Sequence, residues 1–154
     1  MATHNATIRW FASPGEDFAR GKYSRAHSWN FDGGAIVNAS ASPHVVPAPW
    51  ADPAGVDPEE AFVASLSSCH MLFFLDFARR SGVVVTSYED EADGEMAKGD
   101  DGRIRITKVT LRPRIVFGGD EPDQAAIDAL HHEAHEACFI ANSVTAEVVV
   151  EPRS

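Results

Sequence analysis

The stretch from Asp57 to Gly82, "DPEEAFVASLSSCHMLFFLDFARRSG", constrains what this chain can fold into more than any other. It opens with helix-start chemistry. Asp57 can cap the first turn, Pro58 suits the first helical position because an N–H there would be unpaired anyway, and Glu60 completes a capping box. It closes with Arg79 and Arg80, which suit the negative end of the helix dipole, and with Gly82, which can supply the left-handed exit. These signals predict one helix to about Arg80, apolar almost all round over residues 62–80. Such a helix has too little polar face to lie on one side of a small sheet and meet water on the other. Burial between two subunits would resolve that. Its centre nevertheless carries Ser67, Ser68, Cys69 and His70, which a plain core helix has no reason to hold.

The segments before the helix are extended. "ATIRWFA", "HSWNF" and "AIVNAS" are short runs rich in β-formers, and "DGG" between the last two is a hairpin signal, so a three-strand meander is expected. The loop that follows, "ASPHVVPAPWADPAGVDP", holds five prolines and excludes regular strand or helix. Beyond the helix, "VVVTSYEDEADGEM" and "RIRITKVTLRPRIVF" flank "AKGDDG" and predict two long antiparallel strands, one acidic and one basic, which fits cross-strand charge pairing on a solvated face. Apolar alternation changes parity between Ile106 and Val109, which predicts a bulge near Thr107 and Lys108. A second helix is expected from near Asp120 and Pro122, presenting Ile127, Leu130, Ala134 and Cys138 at helical spacing, and "SVTAEVVVEP" closes the chain as a half-buried strand.

The order β-β-β-α-β-β-α-β lacks regular strand–helix alternation, so the fold class is α+β, a mainly antiparallel sheet with two main helices. A length of 154 residues fits a single domain spanning 1–154. The net charge of −10, with no Lys/Arg cluster, would repel nucleic acid and anionic membranes. The N-terminus has no basic region followed by an apolar run, and the longest apolar stretch is interrupted by Ser, His and Asp. Neither secretion nor membrane spanning is supported, and the expected location is the cytoplasm.

Two cysteines occur, Cys69 and Cys138, far apart in sequence. In a reducing compartment such a pair is more often free, catalytic or redox-active than a structural bridge. An apolar setting would make Cys69 an inert small hydrophobe. Its company points elsewhere, since two helix-borne cysteines preceded by Arg and Glu are the ingredients of a thiol peroxidase. The nucleophile is a thiolate, which a cation must hold ionised and a carboxylate can help position. The sulfenic acid it forms needs a second thiol before over-oxidation makes it irreversible.

Three stretches, "DPEEAFVASLSSCHM", "HHEAHEACFIANSV" with the strand after it, and Arg25 in "GKYSRAHSWNF", resemble the OsmC/Ohr family of thiol-dependent peroxidases, the osmotically inducible and organic hydroperoxide resistance proteins. Together they cover most of the chain. The resemblance implies that Cys69 is the peroxidatic thiol and Cys138 the resolving one. It implies that Arg25 stabilises the thiolate and that Glu59 orients Arg25. It further implies an intertwined homodimer with two sites at the interface, a hydroperoxide substrate, no metal or prosthetic group, and regeneration by an external dithiol, often a lipoylated protein. Glu59 and Cys69 are ten residues apart, about 15 Å along one helix. If both serve one site, either the helix breaks between them or Glu59 comes from a second subunit. The chain departs from the family pattern in "CFIA", where the peroxidases commonly have Cys-Pro, and in "SPHVVPAPWADPAG", which replaces a Gly-rich loop. His70 and Met71 after the first cysteine suggest a separate branch.

Other readings of the same residues exist. His131, His135 and Cys138 stand at i, i+4, i+7 and could line up as metal ligands, but no CxxC or HExxH pattern accompanies them. Cys69 beside His70 invites a Cys-His hydrolase, yet adjacent helical residues point about 100° apart. His44, in the proline-rich loop, is expected to line a pocket or meet solvent. The non-enzymatic alternative is an OsmC-like dimer that senses oxidants through Cys69 or binds a small ligand without turnover.

Overall fold

The computed structural model of the chain describes residues 1–153, which divide into two compact units, Met1–Ala61 and Phe62 onward. The first unit is the expected meander: β1 (Ala6–Arg9), β2 (His27–Phe31) and β3 (Ile36–Ala39) lie antiparallel in the order β1-β2-β3. The "DGG" turn closes where the Phe31 N–H donates to the Ala35 carbonyl at 3.0 Å, with Gly34 at φ 87°. The proline-rich loop is irregular but tied down. Val56 N–H donates to Asn38 O at 2.9 Å, Ser40 N–H to Val56 O at 3.1 Å, and the buried Ser40 hydroxyl accepts from Asp52 N–H at 2.9 Å. Gly55 passes so close that a Cβ there would lie 3.0 Å from Ser40 N and Cβ.

Helix α1 (Pro58–Arg80) is unbroken and has both expected caps. Glu60 N–H donates to Asp57 Oδ1 at 2.7 Å while Asp57 N–H donates to Glu60 Oε2 at 3.1 Å. At the other end Gly82 adopts φ 77°, and the Gly82 and Val83 N–H groups return to the Arg79 and Ala78 carbonyls, which is a Schellman closure.

In the second unit a stripe of α1 at four-residue spacing, Leu66, His70, Phe74 and Ala78, is buried. Leu66 packs with Val109 and Leu111; Phe74 and Ala78 pack with Leu130 and Ala134. By length and composition α1 is also apolar enough to cross a membrane, with a mean hydropathy of 1.5 over its most apolar window. The packed stripe accounts for part of that character; only 22% of the apolar window is buried within the chain.

The two long strands expected after α1 are each broken at one level, giving β4 (Val85–Asp90), β5 (Asp93–Lys98), β6 (Ile104–Leu111) and β7 (Pro113–Phe117). β4 pairs with β7 and β5 with β6, both antiparallel. The break has a side-chain cause. Asp90 Oδ1 accepts the Arg112 N–H at 2.6 Å, which takes that donor out of the ladder, and the next residue, Pro113, has none to give. The predicted bulge is present: Glu95 pairs with Lys108 and Met96 with Ile106, so Thr107 is the extra residue.

Helix α2 (Gln124–Ala137) starts later than expected. Asp123 is its cap, accepting from Ala126 N–H at 2.9 Å, and Pro122 keeps the residue before it out of helical conformation. The last strand, β8 (Glu147–Val150), pairs with β6 in parallel, the one departure from an antiparallel set of described strands, because α2 carries the chain across between them. The architecture is α+β with antiparallel-dominated sheets and two main helices.

Candidate active site: a thiol pair and a buried imidazole pair

Helix α1 answers part of the question its sequence raises. Ser67 Oγ donates to Asp90 Oδ2, the carboxylate whose other oxygen holds Arg112, so this serine pins the helix to the strand break. Ser65 returns its hydroxyl to the Phe62 carbonyl at 2.7 Å, a local bond that satisfies it within the helix.

Cys69, half-buried on α1, stands near enough to Cys138, which is 1% exposed, for the two thiols to bear on each other's ionisation. Both are free thiols. Burial, then the neighbouring Cys69 thiol, push the Cys138 thiol up to about 11, so it keeps its proton at neutral pH. Cys138 does not sit inside α2 as expected. The helix ends at Ala137, and Cys138 caps it in extended conformation (φ −64°, ψ 110°). Asn142 helps set the stop: its side-chain amide donates to Glu136 O at 2.9 Å, the carbonyl that the Ile140 N–H would take in a longer helix. The turn also brings the Ala141 N–H to 3.4 Å from Cys138 Sγ.

Arg25 and Glu59 belong to the first unit. The Arg25 guanidinium donates to the Gly21 carbonyl at 2.9 Å and to the Tyr23 carbonyl, and lies 3.6 Å over the Tyr23 ring. The Glu16 carboxylate, held below its ordinary value by N–H donors from Ser24 and Ser13, is also drawn down by Arg25. Glu60 is the capping residue, and Glu59 forms no ion pair among the described residues.

The feature that sequence reasoning missed is His70 with His131. His70 Nε2 and His131 Nδ1 are 3.1 Å apart, and both residues are buried. Burial pushes each imidazole down to about 4, so both are neutral at pH 7. His131 also packs on Phe74, ring centroids 4.5 Å apart. The signal existed: Ile127, Leu130, His131 and Ala134 stand at i, i+3, i+4, i+7, which puts His131 in the apolar stripe rather than on a solvated face. Among the described residues no group of three or more His, Cys, Asp or Glu is arranged to hold an ion.

The description "OsmC-like protein" matches residues 51–153. An OsmC-like protein of unknown function from Vibrio cholerae is 52% identical, with 99% of this chain and 100% of that one covered at a TM-score of 0.97. The organic hydroperoxide resistance protein OhrB of Bacillus subtilis shares the fold at 21% identity and TM-score 0.70, covering 99% of this chain and 98% of that one. An organic hydroperoxide resistance protein from Elizabethkingia anophelis does so at 17% and 0.69, covering 99% and 94%. No curated protein matches the chain. The extent of the family match and the close Vibrio relative agree with the motifs around Cys69 and Cys138, and the chain is a member of the OsmC-like protein family.

Proposed function

We propose that this protein is a thiol-dependent peroxidase that reduces hydroperoxides, chiefly organic ones, to alcohols. The observation that carries the reading is the thiol pair: a half-buried Cys69 beside a buried Cys138 that keeps its proton. The asymmetry supports a division of roles. Cys69 is the sulfur a peroxide can reach, so its thiolate attacks the terminal oxygen, the O–O bond breaks, and the alkoxide takes a proton to leave as alcohol. The sulfur becomes a sulfenic acid. Cys138 then attacks that sulfur, its proton leaves with the hydroxyl as water, and a disulfide joins the two residues. An external dithiol, such as a lipoylated protein, is oxidised as it returns both thiols.

Arg25 and Glu59 are proposed as the cation that holds the Cys69 thiolate and the carboxylate that orients that cation. With α1 unbroken, the alternative that fits one shared site is Glu59 supplied by a second chain. A homodimer also fits α1 itself, whose most apolar window is only 22% buried within one chain, with Leu72 63% exposed. Free thiols and a net charge of −10 fit a cytoplasmic protein with no nucleic-acid or membrane partner.

The test is repeated turnover: reduced protein, cumene hydroperoxide and excess dihydrolipoamide, with alcohol formed followed over many equivalents. Sustained turnover that Cys69→Ser abolishes is the expected result. One oxidation of Cys69 without turnover would make the protein a sensor, and no reaction at all would make it a binding module.

A further inference from the structure

Phe139 follows the buried thiol of Cys138 and belongs to "CFIA", the stretch in which the chain departs from the family pattern and which the peroxide chemistry leaves without a role. It is 72% exposed and is part of neither hydrophobic cluster of the second unit. Among the described residues its one aromatic partner is Phe73 on α1, met edge to face, with ring centroids 5.0 Å apart and planes at 87°. Two rings favour that arrangement because the positive edge of one points at the negative face of the other.

The place of the two rings relative to the sulfurs gives the contact its meaning. Leu66, Cys69 and Phe73 stand at i, i+3 and i+7 and share one face of α1, with Cys69 between the other two. The turn after α2 meets this face on both sides of Cys69. Ile140 and Ala141 pack against the cluster built on Leu66, and Phe139 meets Phe73. Cys138, adjacent to Phe139 in the chain, is thereby set at the level of Cys69. The turn is also stiff in itself. Asn142 N–H donates to Cys138 O at 3.0 Å, Ser143 N–H to Ile140 O at 3.0 Å, and the Ser143 hydroxyl to Phe139 O at 2.7 Å. A segment bonded in this way shifts as one piece, so a contact at Phe139 fixes Cys138 as well. That matters because a disulfide closes only over a narrow range of backbone separation, with Cα atoms about 4–7 Å apart. Two thiols on separate segments meet as often as those segments are held in register, which is their effective concentration.

We propose that Phe73 and Phe139 form an aromatic clamp that holds the turn bearing Cys138 against α1 and so sets how readily Cys69 and Cys138 join. The clamp deepens the peroxidase reading and rests on it for its use in turnover. There the Cys69 sulfenic acid has two fates. Attack by the Cys138 sulfur forms the disulfide and releases water; reaction with a second hydroperoxide transfers one oxygen, releases a second alcohol and leaves a sulfinic acid. A tight clamp favours the first. Both rings act through the position of the sulfurs, so they are positioning residues rather than catalytic ones.

Two measurements test this. In the first, reduced protein is equilibrated with mixtures of reduced and cyclic oxidised dithiothreitol, which takes two electrons and two protons from the cysteine pair without any peroxide, and the disulfide fraction is read by intact mass. The clamp predicts that Phe139→Ala and Phe73→Ala each lower the equilibrium constant for the disulfide about two- to tenfold. It predicts that Phe139→Ala has no further effect once Phe73 is alanine, and that Phe139→Tyr keeps the wild-type value. Phe73→Leu takes the place of Phe73→Ala if that variant does not fold. Unchanged constants in the single variants, losses that multiply in the double variant, or a wild type that forms no Cys69–Cys138 disulfide overturn the clamp. In the second, intact mass is followed through equal turnovers with cumene hydroperoxide and dihydrolipoamide. Phe139→Ala should accumulate sulfinic Cys69 about two- to tenfold faster than wild type, and an equal rate overturns the clamp's part in turnover. If wild type does not consume hydroperoxide, the peroxidase reading fails, and the dithiothreitol equilibrium still decides the clamp.

Discussion

At the scale of single residues, the surroundings set two chemically identical thiols apart. Cys138 is buried and protonated, and Cys69 is the accessible partner. Cys69→Ser is expected to abolish hydroperoxide consumption. Cys138→Ser should allow one oxidation per site and then accumulate sulfinic and sulfonic forms of Cys69, read by intact mass. The imidazole pair makes a separate prediction about stability. Burial lowers both folded-state values from 6.5 to about 4, so between those pH values the unfolded chain binds more protons than the folded one. The stability these residues contribute is fully present above about pH 6.5 and is lost as pH falls toward 4, by up to about 1.4 kcal/mol per pH unit for each proton. Urea midpoints measured from pH 7.5 to 4.5 should fall, and a His70→Phe/His131→Phe variant should show a flatter profile. A wild-type midpoint independent of pH across that window would contradict the burial argument.

At the scale of elements, the parts of the fold legible in the sequence were those governed by local chemistry. The reciprocal Asp57–Glu60 cap, the Gly82 exit, the "DGG" hairpin and the bulge at Thr107 each follow from a few adjacent residues, and each is present. The misses depended on contacts distant in sequence. The long strands break at Arg112 because Asp90, on the facing strand, captures its N–H; α2 stops short of Cys138, where the Asn142 side chain takes the Glu136 carbonyl. The sequence offered His131 only as a possible metal ligand beside His135 and Cys138, because its partner, His70, sits 61 residues away. The cap yields a direct check: Asp57→Ala and Glu60→Ala should each cost about 1 kcal/mol by chemical denaturation, and the double variant less than their sum, since each removes part of the same reciprocal pair. Gly94 offers another. A Cβ there would stand 2.7 Å from Val63 Cγ2, so Gly94→Ala should destabilise by about 1–3 kcal/mol with the same denaturant measurement.

At the scale of the whole molecule, α1 ties the argument together. Its buried stripe organises the core of the second unit, and the apolar surface left over fits a second copy of the chain. Sedimentation should report a homodimer at micromolar concentration. If Glu59 serves the partner's Cys69, a mixture of Cys69→Ser and Glu59→Ala chains, each inactive alone, should regain activity on subunit exchange, because one kind of site in the mixed dimer then holds both intact residues. The membership in the OsmC-like family was legible from "DPEEAFVASLSSCHM" and "HHEAHEACFIANSV", whereas the adjacency of Cys69 and Cys138 was not, since no local pattern sets the distance between the middle of one helix and the end of another. The proposed disulfide chemistry depends on that adjacency. Reduced protein treated with one equivalent of cumene hydroperoxide, digested without reductant and weighed, should yield a single cross-linked peptide joining Cys69 to Cys138 within one chain. Both thiols recovered unmodified, or Cys69 over-oxidised with Cys138 still free, would contradict it.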